Sequence, residues 1–268
     1  MEFETIRIDR AGPRADVVLA RPEVRNAFDD RLVGELTAAF DALGGETGVR
    51  VIVLRGEGKV FSAGADLNWM KSKVDVPVEE NIRDAEAMAG MFLAIDRCPK
   101  PVLARIQRAA MGGGAGLAAA VDIAVAEEGS LFAFSEVRLG IIPAAISPFV
   151  VAKIGAAHAR RYFLTGERFD ADEARRIGLV AEVVPPASLD ARIDELCGAL
   201  LAGGPQAVAA AKALIPVVSG APDRAALIPE TARRIAAQRA GAEGQEGMLA
   251  FLERRPAPWL SDDGEGTT

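Results

Sequence analysis

Cysteine, histidine and tyrosine are scarce in this chain: its 268 residues include two cysteines, one histidine and one tyrosine, and aromatic residues make up 5%. Cys98 and Cys197 cannot build a disulfide framework, and each reads as core packing in a protein of the reducing cytoplasm. His158, in Ile154-Gly-Ala-Ala-His158, has no neighbouring histidine or cysteine to complete a metal site and no serine of a nucleophile elbow to serve. It reads as structural, and neither a metal nor any other separate cofactor is expected. Positive charge is also short, with 31 Lys and Arg against 38 Asp and Glu, a formal net charge of -7. Phosphate affinity needs clustered cations, so nucleic-acid binding is disfavoured. The arginine pairs at 160–161, 175–176, 233–234 and 254–255 are scattered and read as solvated helix faces. No uninterrupted apolar run reaches the roughly 20 residues that cross a bilayer, and the start Met1 to Arg7 has no apolar core of signal length. Membrane insertion and secretion are therefore not expected.

What is present suits a large α/β domain, or such a domain with a helical appendage: 50% of residues are hydrophobic and 26% charged. Strand-like runs span Thr5 to Ile8, Asp16 to Leu19, Val51 to Leu54, Val102 to Ile106, Ile123 to Ala126 and Leu179 to Val184. Helical spacing of apolar residues fills Arg31 to Leu43 and Asn81 to Ile95. From Leu189 onward the pattern is almost wholly helical, broken at Gly203-Gly-Pro205 and Gly220-Ala-Pro222, and Ser261 to Thr268 reads as a polar, frayed tail. The spacing predicts a core over 1–200 and a helical assembly region over 201–268.

Two glycine-bearing segments carry the chemistry. Gly112, Gly113 and Gly114 follow the apolar run Pro101 to Ile106 and precede the alanine-rich helical stretch Leu117 to Ala120, and Glu136 comes about twenty residues later. The first amides of a helix lack internal partners and carry partial positive charge, so they suit an oxygen on which negative charge develops, as in a thioester enolate. On the glycines alone, a tight strand-to-helix turn explains the segment as well. The second segment, Phe61-Ser-Ala-Gly-Ala-Asp-Leu-Asn-Trp-Met70, is a small-residue loop entering a helical turn, where the amide of Ala65 could point outward. Asp66 there reads first as a helix N-cap. Trp69, Met70 and Met88 read either as core or as the lining of an acyl pocket.

Ala63-Gly-Ala-Asp66, Gly112-Gly-Gly114, Val121-Asp-Ile123, Glu136 and Leu139-Gly-Ile-Ile-Pro143, with flanking motifs from Arg21-Pro-Glu-Val-Arg-Asn-Ala27 to Glu246 to Arg255, resemble the enoyl-CoA hydratase/isomerase, or crotonase, superfamily. The resemblance implies an α/β spiral of ββα units with a helical C-terminal region. It also implies an oxyanion hole from the amides of Ala65 and Gly113, and a catalytic Glu136. Arg25, Ala63, Asp66, Leu67 and Gly112 would lie along the substrate, with Phe251 and Arg254 toward the adenine end of the coenzyme A arm. The coenzyme belongs to the acyl-CoA substrate, and a homotrimer or a dimer of trimers is implied.

One position departs from the family pattern. Where hydratases of the superfamily carry their first catalytic glutamate, this chain has Gly116, so only Glu136 remains. A lone carboxylate is the arrangement of many superfamily isomerases. The stretch from Phe134 to Pro148, followed by Ala159 to Gly166, resembles a bacterial subgroup of methylglutaconyl-CoA or carboxygeranoyl-CoA hydratases in which Gly at that position is common. Water would then be oriented by Glu136 with help from a backbone group, a substrate carboxylate or Ser147, although Ser147 reads first as a helix cap. The expected function is hydration of a 2-enoyl-CoA of the methylglutaconyl-CoA kind, with enoyl-CoA isomerisation and non-catalytic acyl-CoA binding as alternatives. A dinucleotide-binding oxidoreductase is disfavoured, because Gly112-Gly-Gly-Ala-Gly116 is not G-x-G-x-x-G.

Overall fold

Short β-branched runs supply the central strands, whose side chains are covered on both faces. In the computed structural model, which describes residues 3–221 and 223–260, the strands in chain order are β1 (Ile6–Ala11), β2 (Arg14–Leu19), β3 (Val51–Gly56), β4 (Val102–Ile106), β5 (Ala109–Met111), β6 (Ile123–Glu127), β7 (Leu131–Ala133), β8 (Phe169–Asp170) and β9 (Glu182–Val184). The helices are α1 (Asp30–Gly45), α2 (Leu67–Ser72), α3 (Val78–Arg97), α4 (Gly113–Ala120), α5 (Ser147–Thr165), α6 (Ala171–Arg176), α7 (Leu189–Leu201), α8 (Pro205–Ser219), α9 (Ile228–Ala240) and α10 (Ala242–Glu253). Two structural units result: residues up to Cys98 together with Val102–Asp194, and Pro99–Pro101 together with residues from Glu195 on.

The first unit holds a six-stranded sheet in the order β1-β2-β3-β4-β6-β9. Only β1 and β2 run antiparallel; the other pairs are parallel. Val51, Ile52, Val53 and Leu54 of β3 are fully buried, the continuous apolar run that a parallel strand covered on both faces requires. Helix α1 shows why its sequence is helical. Asp29 caps it by accepting from the Leu32 amide at 2.8 Å, and Leu32, Val33, Leu36, Ala39, Phe40 and Leu43 form its buried face.

A second sheet, β5-β7-β8, was not expected from the sequence. Its strands have three, three and two residues, too few for a two-residue alternation to register. Burial holds it together: Phe132 on β7 stacks on Phe169 on β8 with ring centroids 5.8 Å apart, and Tyr162 lies 4.3 Å from Phe169. The run Leu179 to Val184 is a strand only from Glu182, because the amides of Leu179 and Val180 donate to the Ala174 carbonyl at 2.9 and 3.3 Å, closing the end of α6.

In the second unit, the break at Gly203-Gly-Pro205 separates α7 from α8. Helix α8 has no cap of its own. Glu243 of α10 supplies one, accepting from the amides of Gln206 at 2.8 Å and Ala207 at 2.7 Å. Helix α8 ends at Ser219; Pro222 and the tail Ser261 to Thr268 lie outside the described residues. No single helix among the described residues is long and apolar enough to cross a membrane.

Phe132 is fully buried, so Phe132→Ala removes both its transfer energy and the packing that joins β7 to β8. A loss of about 3–5 kcal/mol is expected. Urea unfolding with an unchanged denaturant slope checks it.

Candidate active site

The site grows from two backbone segments that run unusually close together. Ser62 pairs with Ala110 in a parallel bridge, its amide donating to the Ala109 carbonyl at 3.1 Å and its carbonyl accepting from the Met111 amide at 3.0 Å. A Cβ at Gly64 would stand 2.9 Å from the Met111 carbonyl oxygen, and one at Gly114 would stand 2.8 Å from Ser62 Cβ. Only glycine permits this approach. Gly64 (φ +90°) and Gly112 (φ +50°) also have positive φ, which side chains disfavour.

This approach frees two amides. Phe28 bridges Ala65 by donating its amide to the Gly64 carbonyl at 2.7 Å and accepting from the Asp66 amide at 2.9 Å, so the amide of Ala65 itself faces the other way. Gly113 is the first residue of α4, where helical amides have no internal acceptor. Among the described residues, neither the Ala65 nor the Gly113 amide donates to a protein acceptor.

Glu136 arrives through the second sheet. Strand β7 pairs with β5, its Ala133 carbonyl accepts from the Gly112 amide at 2.9 Å, and a 3-10 turn over Glu136–Leu139 follows. A Cβ at Gly112 would lie 3.3 Å from Glu136 Oε1, which places the carboxyl beside the first turn of α4. Its Oε2 is buried without a hydrogen-bond partner. Burial raises its pKa, offset in part by a hydrogen bond from its own backbone amide.

Gly116 brings no group to this site. Its amide donates to the Gly112 carbonyl at 3.0 Å, and a Cβ there would overlap Ile146 Cγ2 and stand 3.0 Å from Phe92 Cζ. The space in which a carboxylate would project is filled by those two side chains. Ser147 Oγ donates to the Ala144 carbonyl at 2.8 Å, a bond local to the start of α5.

Asp66 is occupied as a cap. It accepts from the Asn68 amide at 2.7 Å and, more weakly, from Trp69 at 3.4 Å, and it pairs with Arg21 at 3.0 Å. Burial opposes its ionisation, but those amides and the guanidinium outweigh it and hold its pKa below the ordinary value. The carboxylate is therefore turned inward to the α2 turn. Leu67 begins α2 and is 74% exposed, and Arg25, also exposed, accepts the Ala63 amide on its carbonyl at 2.9 Å, bringing those two positions together. Phe251 and Arg254 belong to the second unit, where Phe251 is 83% exposed and Arg254 ends α10 in the left-handed conformation. Met88 packs partly buried against the core, and Trp69 Nε1 donates to Asp30 at 2.7 Å.

Asn26 was overlooked in the sequence. Fully buried at φ +54°, it donates through Nδ2 to the carbonyls of Glu57, Val60 and Phe61 at 2.9, 3.0 and 3.1 Å and accepts the Arg21 amide on Oδ1. Its own carbonyl accepts from Ser62 Oγ at 2.9 Å. This one side chain ties the loop that presents Ala65 to the end of β3. The tolerance of asparagine for the left-handed region was the available signal.

Residues 14–262 match the profile of the enoyl-CoA hydratase/isomerase family. The chain belongs to that family. An enoyl-CoA hydratase from Shewanella pealeana is 38% identical, with a TM-score of 0.92 over 96% of this chain and 97% of that one. An enoyl-CoA hydratase/isomerase from Marinobacter aquaeolei is 34% identical, with a TM-score of 0.91 over 96% and 99%. A trans-2-decenoyl-[acyl-carrier-protein] isomerase from Streptococcus mutans is 31% identical over 217 residues, 80% of this chain and 82% of that protein. The α/β fold is thus that of the enoyl-CoA hydratase/isomerase family, and an acyl-CoA thioester fits it as substrate.

Two outcomes are expected. Gly116→Ala forces a methyl into Ile146 and Phe92 and should lower stability by about 1–3 kcal/mol in urea unfolding. Glu136 holds its proton in the folded protein above the 4.5 of the free side chain, so the stability tied to it is present at low pH and is lost as pH rises through its elevated pKa. Glu136→Gln should therefore gain melting temperature relative to wild type between pH 4 and pH 8; a pH-independent difference would contradict this.

Proposed function

We propose that the protein hydrates a 2-enoyl-CoA whose acyl group is of the methylglutaconyl kind, with the amides of Ala65 and Gly113 receiving the thioester oxygen and Glu136 moving the proton. The observation that carries the proposal is the desolvated Glu136 carboxyl, its Oε2 without a partner, beside the first turn of α4. Donors aimed at a developing oxyanion in a site without competing water commonly contribute about 10²–10³-fold each. One carboxyl is enough for the proton balance. Glu136 takes a proton from water as hydroxide adds to C3, the electrons pass to the thioester oxygen as an enolate, and the same proton is delivered to C2. A distal carboxylate on the substrate would assist in holding the water. The relatives named as hydratases support this choice.

A second reading is favoured by the filled space at Gly116 and by the isomerase among the relatives. There Glu136 takes a proton from C2 of a 3-enoyl-CoA and returns it to C4, the dienolate oxygen resting on the same two amides. Assembly of several copies belongs to the same proposal. It is supported by the exposed apolar side chains Ile215, Ile228, Phe251 and Leu252 of the second unit.

The test follows ultraviolet absorbance and product mass with 3-methylglutaconyl-CoA, a straight 2-enoyl-CoA and a 3-enoyl-CoA. Hydration adds one water to the mass, isomerisation moves the double bond at constant mass, and no turnover of any of them rejects both. Glu136→Gln should lower kcat by about 10²–10⁴-fold. The acid limb of kcat/KM should lie above the ordinary 4.5 of a glutamate.

A further inference from the structure

Helix α4 is only eight residues long, yet its first turn presents the Gly113 amide, and seven of its residues are buried. What fixes such a helix along its axis lies at its other end. Lys153, on α5, donates from Nζ to the carbonyls of Val121 at 2.6 Å and Asp122 at 3.1 Å, immediately beyond the last residue of α4. These carbonyls lie just past the negative pole of the helix, Val121 being its C-cap. The Asp122 side chain adds a carboxylate there, fixed by accepting the Val102 amide at 2.7 Å.

Lys153 does not act alone. Ile146, seven residues before Lys153 and just ahead of the first residue of α5, occupies the space over Gly116 in the middle of α4. The segment from Ile146 to Lys153 therefore grips α4 at its centre through apolar contact and at its C-terminus through an ammonium. Just beyond, at Gly155 (φ +74°, ψ 159°), α5 breaks, so this gripping part is a separate short helical piece.

We infer that Lys153 is a positioning residue for the reaction: its ammonium offsets the negative charge at the C-terminus of α4 and so raises the positive potential and fixes the aim of the Gly113 amide at the thioester oxygen. The inference rests on the proposed role of that amide. A cation at a helix C-terminus strengthens the opposite pole because it offsets the negative end of the dipole, and the effect is largest where solvent is excluded. It acts on the transition state, in which charge develops on the oxygen, more than on the neutral bound thioester.

The test measures polarisation directly. Bound cinnamoyl-CoA absorbs at longer wavelength when its thioester carbonyl is pulled toward an enolate-like state, and the shift reports the field of the amides without turnover. Wild-type protein should shift the band to the red. Lys153→Met should reduce that shift and lower kcat by about tenfold on whichever enoyl-CoA is turned over, with KM little changed. Lys153→Arg, which keeps the cation, should retain most of both. If Lys153→Met does not fold, Lys153→Gln removes the charge while keeping a donor, and it should show the same loss. A variant without the cation that keeps the full red shift and kcat overturns the inference and leaves the site assignment standing. Wild-type protein that binds cinnamoyl-CoA without any shift overturns the site assignment and the inference together.

Discussion

Two peptide N–H groups can face one small volume only where the chains that carry them come nearer than side chains allow. The approach of Ser62–Ala65 to Ala109–Gly114 meets that condition through missing Cβ atoms at Gly64 and Gly114, and much else in the first unit serves it. Asn26 holds the first segment to the end of β3, while pairing of β5 with β7 holds the second and delivers Glu136 to the same place. The short second sheet contributes few backbone bonds, yet it sets the distance between carboxyl and helix terminus. Its aromatic packing, Phe132 on Phe169 and Tyr162, is thus a condition for the site as much as for the core.

Asp66 and Glu136 show how environment separates two carboxyls of similar intrinsic acidity. Both are largely removed from water. Asp66 is given two amides and a guanidinium, which lower its pKa; Glu136 has an oxygen with no partner, and burial raises its pKa. The first is spent on structure. The second keeps an affinity for protons that suits exchange with a carbon acid, because a base too weak or too strongly solvated would not take the proton.

Much of this arrangement could be read from the sequence because it depends on local composition. Val102 to Ile106 is β4 residue for residue, since a strand covered on both faces leaves a short apolar run, and Arg31 to Leu43 falls inside α1, since burial of one helix face leaves a period of 3.6. Gly112 to Gly114 and Glu136 stood out by residue type and spacing, and the structure brings Glu136 beside Gly112. The β5-β7-β8 sheet was not, for its strands are shorter than the windows in which alternation shows. Nor was the fate of Gly116. Its neighbours Ile146 and Phe92 are thirty and twenty-four residues away in the chain, and nothing local indicates that they meet over it. Asp66 illustrates the opposite case: the capping reading of the sequence holds, and the contact with Arg21, forty-five residues away, only deepens it.

The closed space at Gly116 bears on how this chain could change its chemistry. A carboxylate gained there by one substitution would meet Ile146 and Phe92 before it met a substrate, so it would unsettle α4 and with it the amide of Gly113. A smaller residue at 146 or 92 arriving first would leave a void in the core and cost stability with no gain. Neither order of steps is free, and position 116 in this chain thus behaves as a ratchet whose hold is set by packing rather than by catalysis.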